Sequence, residues 1–149
     1  MKTRDLCTRN VVKAAGSLDL AQAAALMRDS HVGSLVVVDA DEPLRPTGII
    51  TDRDLVVKVI AGGVDAKTVT LDEVIGGRTL VVAREGDDAI ESLRMMRRAG
   101  VRRLPVVDKR DQLVGIVALD DYLEAEADYL GDMVEALARE RERELQQAR

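Results

Sequence analysis

Tryptophan and phenylalanine are absent from the 149 residues, and the only tyrosines are Tyr122 and Tyr129. A core built from this chain must be aliphatic, made of Val, Leu, Ile, Ala and Met. Single-stranded nucleic acid is held largely by stacking on aromatic rings, and the chain offers no such platform. Concentrated positive charge is missing as well. Lys and Arg number 22 against 27 Asp and Glu, a formal net charge of −5. Ten acids and four Arg between Asp120 and Arg149 account for −6, leaving +1 for residues 1–119. The acidity therefore belongs to the C-terminal tail, and a duplex-binding surface, which needs a basic face, is not expected.

Cysteine is represented by Cys7 alone, which excludes an intrachain disulfide and any cysteine-based zinc site. No apolar run reaches the ~20 residues that a membrane span needs, and the first thirty residues lack a signal-like apolar core. The expectation is a cytoplasmic protein with neither membrane nor nucleic-acid partners. Its length suits one compact domain, or two small ones that share a core.

What the chain does contain is an internal duplication. Ser34-Leu-Val-Val-Val-Asp39 recurs as Arg103-Leu-Pro-Val-Val-Asp108, displaced by 69. Thr47-Gly-Ile-Ile-Thr-Asp-Arg-Asp-Leu55 recurs as Val114-Gly-Ile-Val-Ala-Leu-Asp-Asp-Tyr122, displaced by 67. Upstream, Asn10-Val-Val recurs as Leu80-Val-Val, displaced by 70. Each unit reads as a short strand (Asn10–Lys13; Leu80–Ala83) followed by a helix opened by Ser17, or by Asp87 or Asp88. A valine-rich strand (Leu35–Val38; Leu104–Val107) follows, whose unbroken apolar run implies burial on both faces. A third strand (Gly48–Thr51; Val114–Val117) leads into a second helix, which in the first copy stops at Gly62-Gly63 with a left-handed cap. The order is β-α-β-β-α, twice. The expected division is residues 1–65, residues 66–127 and a charged helical tail over 128–149. In that tail Leu123, Ala127, Leu130, Val134 and Leu137 form an a/d-like seam. The seam suits either packing on its own module or holding a dimer.

Catalytic chemistry finds little purchase. Cys7 and His31, each the only residue of its type, lie far apart in sequence, and His31 at a helix end suits the helix dipole. Asp39, Asp41 and Glu42 read as a solvated acidic turn rather than a metal site, and no glycine-rich phosphate loop is present. The distinctive segment is the strand-to-helix junction Gly48-Ile-Ile-Thr-Asp-Arg-Asp54. Thr51 with Asp54 is a capping box. Yet Asp121 persists at the matching position of the second copy although Ala118 has replaced the capping hydroxyl. A carboxylate in a first helical turn can also accept from a vicinal diol, as acids do with ribose in other nucleotide folds, and a helix N-terminus favours phosphate.

The doubled pattern Ser34-Leu-Val-Val-Val-Asp…Gly48-Ile-Ile-Thr-Asp-Arg-Asp and Arg103-Leu-Pro-Val-Val-Asp…Gly115-Ile-Val-Ala-Leu-Asp-Asp resembles a tandem pair of CBS domains, the cystathionine-β-synthase-type Bateman module, over roughly residues 3–127. The resemblance implies an α/β (α+β) fold of two β-α-β-β-α repeats packed about a pseudo-twofold axis, here with an extended C-terminal helix. It also implies a regulatory rather than enzymatic role, a homodimer, an effector partner that the sequence does not identify, and two clefts for adenosyl ligands. No cofactor is required; AMP, ADP, ATP or S-adenosylmethionine would be the ligand. Carried over by position, the primary cleft uses Ile49, Thr51, Arg53 and Asp54 with Val81, Val101, Arg102 and Arg103. Asp54 would hold the ribose, Thr51 and Arg53 would face the phosphates, and Ile49, Val81 and Val101 would sandwich the base. The secondary cleft uses Val11, Val32, Gly33 and Ser34 with Ile116, Ala118, Asp120 and Asp121.

The charges differ between the two. Arg53, Arg102 and Arg103 favour phosphate in the Asp54 cleft, whereas Asp120 repels it in the other. The second cleft is expected to be weak, empty, or filled by an uncharged or cationic adenosyl ligand. A competing expectation is a non-catalytic dimerisation or protein-interaction module with vestigial clefts.

Overall fold

In the computed structural model, which describes residues 1–147, the two valine runs become the central strands of two separate three-stranded sheets. β1 (Lys13–Ala15) runs parallel to β2 (Ser34–Val38), and β2 pairs antiparallel with β3 (Pro46–Thr51). β4 (Ala83–Arg84), β5 (Arg103–Val107) and β6 (Leu113–Ala118) repeat that arrangement. The register repeats with it. Val36 faces Ile49 as Pro105 faces Ile116, and a bulge falls between Val37 and Val38 as between Val106 and Val107. With α2 (Leu20–Ser30), α3 (Asp52–Leu55), α5 (Ala89–Ala99) and α6 (Leu119–Gln147), each unit is β-α-β-β-α.

Both faces of each central strand are buried, as the valine runs require. Leu35 and Val37 point into one aliphatic core with Leu20, Ala23, Met27 and Ile50. Leu104 and Val106 do the same with Ala89, Met96 and Val117. The opposite face joins the repeats, where Val36, Val38 and Leu113 pack with Val11, Ile49 and Ile116.

Several boundaries differ from the expected ones. The first strands begin three residues later, because Val11 turns into the cluster between the sheets and Val81 toward a cleft. The cap of α2 is Asp19 rather than Ser17: its carboxylate accepts from Gln22 N at 2.7 Å and the Gln22 side chain accepts from Asp19 N at 3.1 Å. α3 widens into a π-helical stretch over Val56–Ala61. Of the glycine pair after it, Gly62 keeps right-handed torsions and only Gly63 is left-handed, at φ +65°. His31 does end α2, as a left-handed cap at φ 53°.

Two short helices were not legible: α1 (Thr3–Leu6) and α4 (Leu71–Ile75). They dock by one rule. α1 lies on the second repeat, where Thr3 N donates to Asp87 O at 2.9 Å and Arg4 N to Glu85 O at 3.1 Å. α4 lies on the first, where Leu71 N donates to Leu18 O at 2.9 Å and Asp72 N to Gly16 O at 3.0 Å. Residues 1–8 therefore complete the second repeat, and Leu71, Val74 and Ile75 complete the core of the first.

The α1 contact carries a buried hydroxyl relay. Ser92 Oγ bonds the Thr3 hydroxyl at 2.9 Å and the Tyr122 hydroxyl at 2.6 Å. Ser92→Ala leaves the Tyr122 hydroxyl without its partner, while Thr3 Oγ1 keeps its bond to Asp87 O at 3.2 Å, and the expected loss is about 1–3 kcal/mol in urea unfolding. Because the two residues share one bond, adding Tyr122→Phe should cost less than the sum of the single changes. Burial pushes the Tyr122 phenol above its ordinary pKa, the Ser92 bond opposing this. The unfolded chain therefore releases that proton first, and stability should fall as pH rises past about 10.

The expected packing of the tail seam on its own module is not found. Tyr122 is buried, but Leu123, Leu130, Val134 and Leu137 along α6 are exposed. Residues 148–149, the end of the expected tail, lie outside the described residues.

Candidate functional site

β3 ends at Thr51, and the chain turns there into α3 through the expected capping box. Asp54 N donates to Thr51 Oγ1 at 3.2 Å, while Asp54 Oδ2 accepts from Thr51 N at 2.9 Å and from Thr51 Oγ1 at 3.1 Å. That leaves Asp54 Oδ1 directed elsewhere, 3.5 Å from Arg78 Nη1. The carboxylate is thus held by its local turn through one oxygen and paired across space through the other.

Around this junction lies a cavity of about 580 Å³. From the first repeat Ile49, Thr51, Arg53 and Asp54 line it; from the second come Val81, Val101, Arg102 and Arg103. All eight residues expected in the primary cleft therefore meet there. Ile49, Val81 and Val101 supply apolar walls, and Arg53 and Arg103 carry no ion pair among the described residues. Arg102 lies 3.4 Å from Asp120 Oδ1 on the start of α6, so part of its charge is answered there.

Of the lining residues not expected in the cleft, Gly48, Ile75 and Arg78 shape it most directly. Gly48 and Ile75 meet at the cavity wall, where a Cβ on Gly48 would come within 2.5 Å of Ile75 Cδ1. The glycine lets α4 cross β3 closely. Arg78 follows the Gly76-Gly77 turn, where Gly77 takes φ +72°, a conformation that glycine adopts freely. A lone arginine after a glycine pair gives no periodic signal, and only the fold brings it to Asp54.

The cavity also exposes backbone. Val36 N donates to Val12 O at 3.1 Å, toward β1, so its antiparallel partner Ile49 directs both its N–H and its C=O away from β2. Among the described residues, neither of these groups has a backbone partner. The equivalent edge in the other repeat is filled: Thr8 N donates to Ile116 O and Ile116 N to Thr8 O, both at 2.9 Å.

The residues expected in the secondary cleft are placed differently. Val11 and Ile116 sit in the cluster between the sheets, and Val32 packs against the first core. Gly33 O accepts from Asp52 N at 3.0 Å, and Ser34 pairs opposite Thr51 at the head of β2. Ala118 N donates to Asp121 Oδ2 at 2.7 Å, half a capping box without the hydroxyl. Asp121 therefore keeps the geometry of Asp54, but the chain at Thr8 occupies the strand edge beside it.

Cys7 packs into the second core against Gly115, and burial raises its pKa, the reverse of what a nucleophilic thiolate needs. Asp39 Oδ1 accepts from Asp41 N at 2.8 Å and from Glu42 N at 3.1 Å, a closed turn. Asp108 Oδ1 does the same with Arg110 N and Gln112 N in the second copy. Among the described residues no group of three His, Cys, Asp or Glu is placed to hold a metal, and no helix is long and apolar enough to cross a membrane.

A family model described as "CBS domain" matches the chain twice, over residues 4–61 and 72–128. The chain is 33% identical over 123 residues to an uncharacterised protein of Methanopyrus kandleri, covering 82% of this chain and 61% of that one. It is 34% identical over 119 residues to Hypoxic response protein 1 of Mycobacterium tuberculosis, covering 79% and 80%. A crystal structure of Hypoxic Response Protein I with two coordinated zinc ions superposes with a TM-score of 0.72 at 31% identity, covering 83% of this chain and 98% of that one. A CBS domain protein of Pyrobaculum aerophilum complexed with AMP gives the same TM-score at 24% identity, covering 81% and 89%, a likeness of fold alone.

Proposed function

The chain belongs to the CBS domain family, with two copies in tandem, and we propose that it is a non-catalytic regulatory module that senses a phosphorylated adenine nucleotide in the cleft at Asp54. One observation carries this reading: a cavity of about 580 Å³ in which apolar walls, an open backbone edge at Ile49 and the guanidinium-bearing Arg53, Arg78 and Arg103 converge between the repeats. Each part suits one part of AMP, ADP or ATP. A purine between Ile49, Val81 and Val101 buries apolar area at about 25 cal/mol per Å² without aromatic stacking. The free N–H and C=O of Ile49 can answer the donor–acceptor edge of adenine. Asp54 Oδ1 is available to the ribose hydroxyls once Arg78 releases it, and the cations meet the phosphates. Cationic S-adenosylmethionine fits the same charges poorly. The Asp121 cleft, with its edge filled by Thr8, is the weaker of the two.

Isothermal titration with adenosine, AMP, ATP and S-adenosylmethionine tests the reading. The phosphorylated ligands should bind at least about tenfold more tightly than adenosine, one charge-assisted hydrogen bond being worth about 1.5–3 kcal/mol. A preference for adenosine or S-adenosylmethionine, or no binding at all, removes it. Arg78 gives a result whose sign is informative. Without ligand it neutralises Asp54; with phosphate present it has a second partner. Arg78→Ala should therefore weaken AMP binding while leaving adenosine binding unchanged or tighter. Loss of both alike would make Arg78 a structural prop.

A further inference from the structure

We propose that the length of the connector before each repeat's first strand decides whether the neighbouring cleft keeps an open backbone edge, and that Gly76 and Gly77 hold the Asp54 cleft open. What fills that edge rests on the nucleotide reading above; why it is open rests on geometry alone. Both connectors leave from the same contact. Cys7, after α1, packs on Gly115 of β6, and Ile75, at the end of α4, packs on Gly48 of β3. Both rejoin the repeated pattern at the same point, Asn10-Val-Val or Leu80-Val-Val. Between these landmarks one connector has only Thr8 and Arg9, whereas the other runs Gly76-Gly77-Arg78-Thr79 and is longer by the glycine pair.

The extra residues change the path of the chain. Cys7 is extended, at φ −69° and ψ 141°, so the backbone runs on beside β6 and Thr8 bridges Ile116. A Cβ on Gly115 would stand 3.1 Å from Thr8 O, main chain close against main chain. After Ile75 the chain turns instead. Gly76 N donates to Asp72 O at 2.9 Å, closing α4, and Arg78 N donates to Ile75 O at 3.0 Å across the turn. Gly77 supplies the positive φ that such a turn requires. The three atoms nearest a Cβ on Gly48 all belong to the Ile75 side chain, so no backbone crowds β3 there. A connector of two residues has no room for this turn. Backbone donors and acceptors in a fold need partners. Ile116 receives them from Thr8, one N–H and one C=O at 2.9 Å each. Ile49 is left to receive the same pair from outside, from a ligand with an adjacent donor and acceptor. The chain therefore takes one such ligand, in the Asp54 cleft.

Amide hydrogen exchange of the full chain, resolved by residue with NMR and corrected for intrinsic rates, tests this. Without ligand, the Ile116 N–H should exchange at least about fivefold more slowly than the Ile49 N–H, the contribution of one hydrogen bond. Saturating AMP should slow Ile49 and leave Ile116 unchanged. Deleting Gly76 and Gly77 should bring Ile49 to the protection of Ile116 and abolish the effect of AMP. Inserting two glycines between Cys7 and Thr8 should speed exchange at Ile116 by the same factor while Ile49 keeps its rate. The insertion lies outside the Asp54 cleft and decides the matter even if the deletion variant does not fold. If both variants move the amides as stated but AMP protects neither, the connector rule stands and the nucleotide reading falls. Ile49 as protected as Ile116 in the free chain, Ile116 indifferent to the insertion, or Ile49 indifferent to the deletion in a folded variant would each overturn the proposal.

Discussion

Leu71→Ala is expected to lower the unfolding free energy by about 2–5 kcal/mol, the range for emptying a filled aliphatic site. That is a large share of the roughly 5–15 kcal/mol that holds a domain of this size together. From the sequence the residue belongs to a connector, three positions beyond Thr68 and outside either repeated motif. In the folded chain it is fully buried, and it enters the first core with Leu20, Leu35 and Ile50. Its N–H donates to Leu18 O at 2.9 Å, and the next residue bonds Gly16 O. Thr70 caps α4 through a box with Glu73, whose carboxylate accepts from Thr70 N at 2.7 Å, so the helix is preset when Leu71 inserts. The cavity left behind cannot collapse easily, because β2 and β3 fix the surrounding side chains. Urea unfolding monitored by circular dichroism measures the loss. Leu145→Ala, on an exposed position of α6, should stay within about 0.5 kcal/mol. If Leu71→Ala also cost less than about 1 kcal/mol, α4 would be a tether and not part of the first core.

The contrast between these leucines shows which features the sequence made readable. Duplication made the strands and their order legible, because two copies in register constrain each other: the run Leu35–Val38 reads as a strand buried on both faces, and Leu104–Val107 repeats it. Asp54 and Thr51 were legible through local chemistry alone, a cap that spans four residues and needs no tertiary contact. What was not legible depends on contacts between segments that have no shared pattern. α1 and α4 are four and five residues long, too short for a periodic signal, and their docking partners lie in different parts of the chain. Thr8 lies outside the repeated segments, yet its two bonds to Ile116 are what distinguish the filled edge from the open one at Ile49. Charge reasoning had ranked the clefts through Asp120, whose observed partner is Arg102. The same ranking is now supported by a different cause, a backbone edge already taken.

That cause makes phosphate recognition in the remaining cleft the most demanding expectation. Arg53→Ala combined with Arg103→Ala should weaken AMP and ATP binding about a hundredfold or more. Two charge-assisted bonds at about 1.5 kcal/mol each already amount to that factor; the lower figure applies because Arg53 is exposed and Arg103 only half-buried. Adenosine has no phosphate to lose, so its affinity should change by less than about threefold. The pair is a clean test because neither guanidinium holds an ion pair among the described residues, and removing them leaves Thr51, Asp54 and the sheet register untouched. Ionic strength supplies an independent check. Exposed charges are screened within about 10 Å at 0.1 M salt, so wild-type AMP affinity should fall as salt rises, and that of the double variant should fall less steeply. Thermal shift gives the same comparison without titration. A ligand at a hundred times its dissociation constant stabilises by roughly 2.7 kcal/mol, a shift that AMP should produce in the wild type and not in the double variant at equal concentration. Equal AMP affinity in the two proteins would mean that Arg53 and Arg103 are surface charges that do not meet the phosphate.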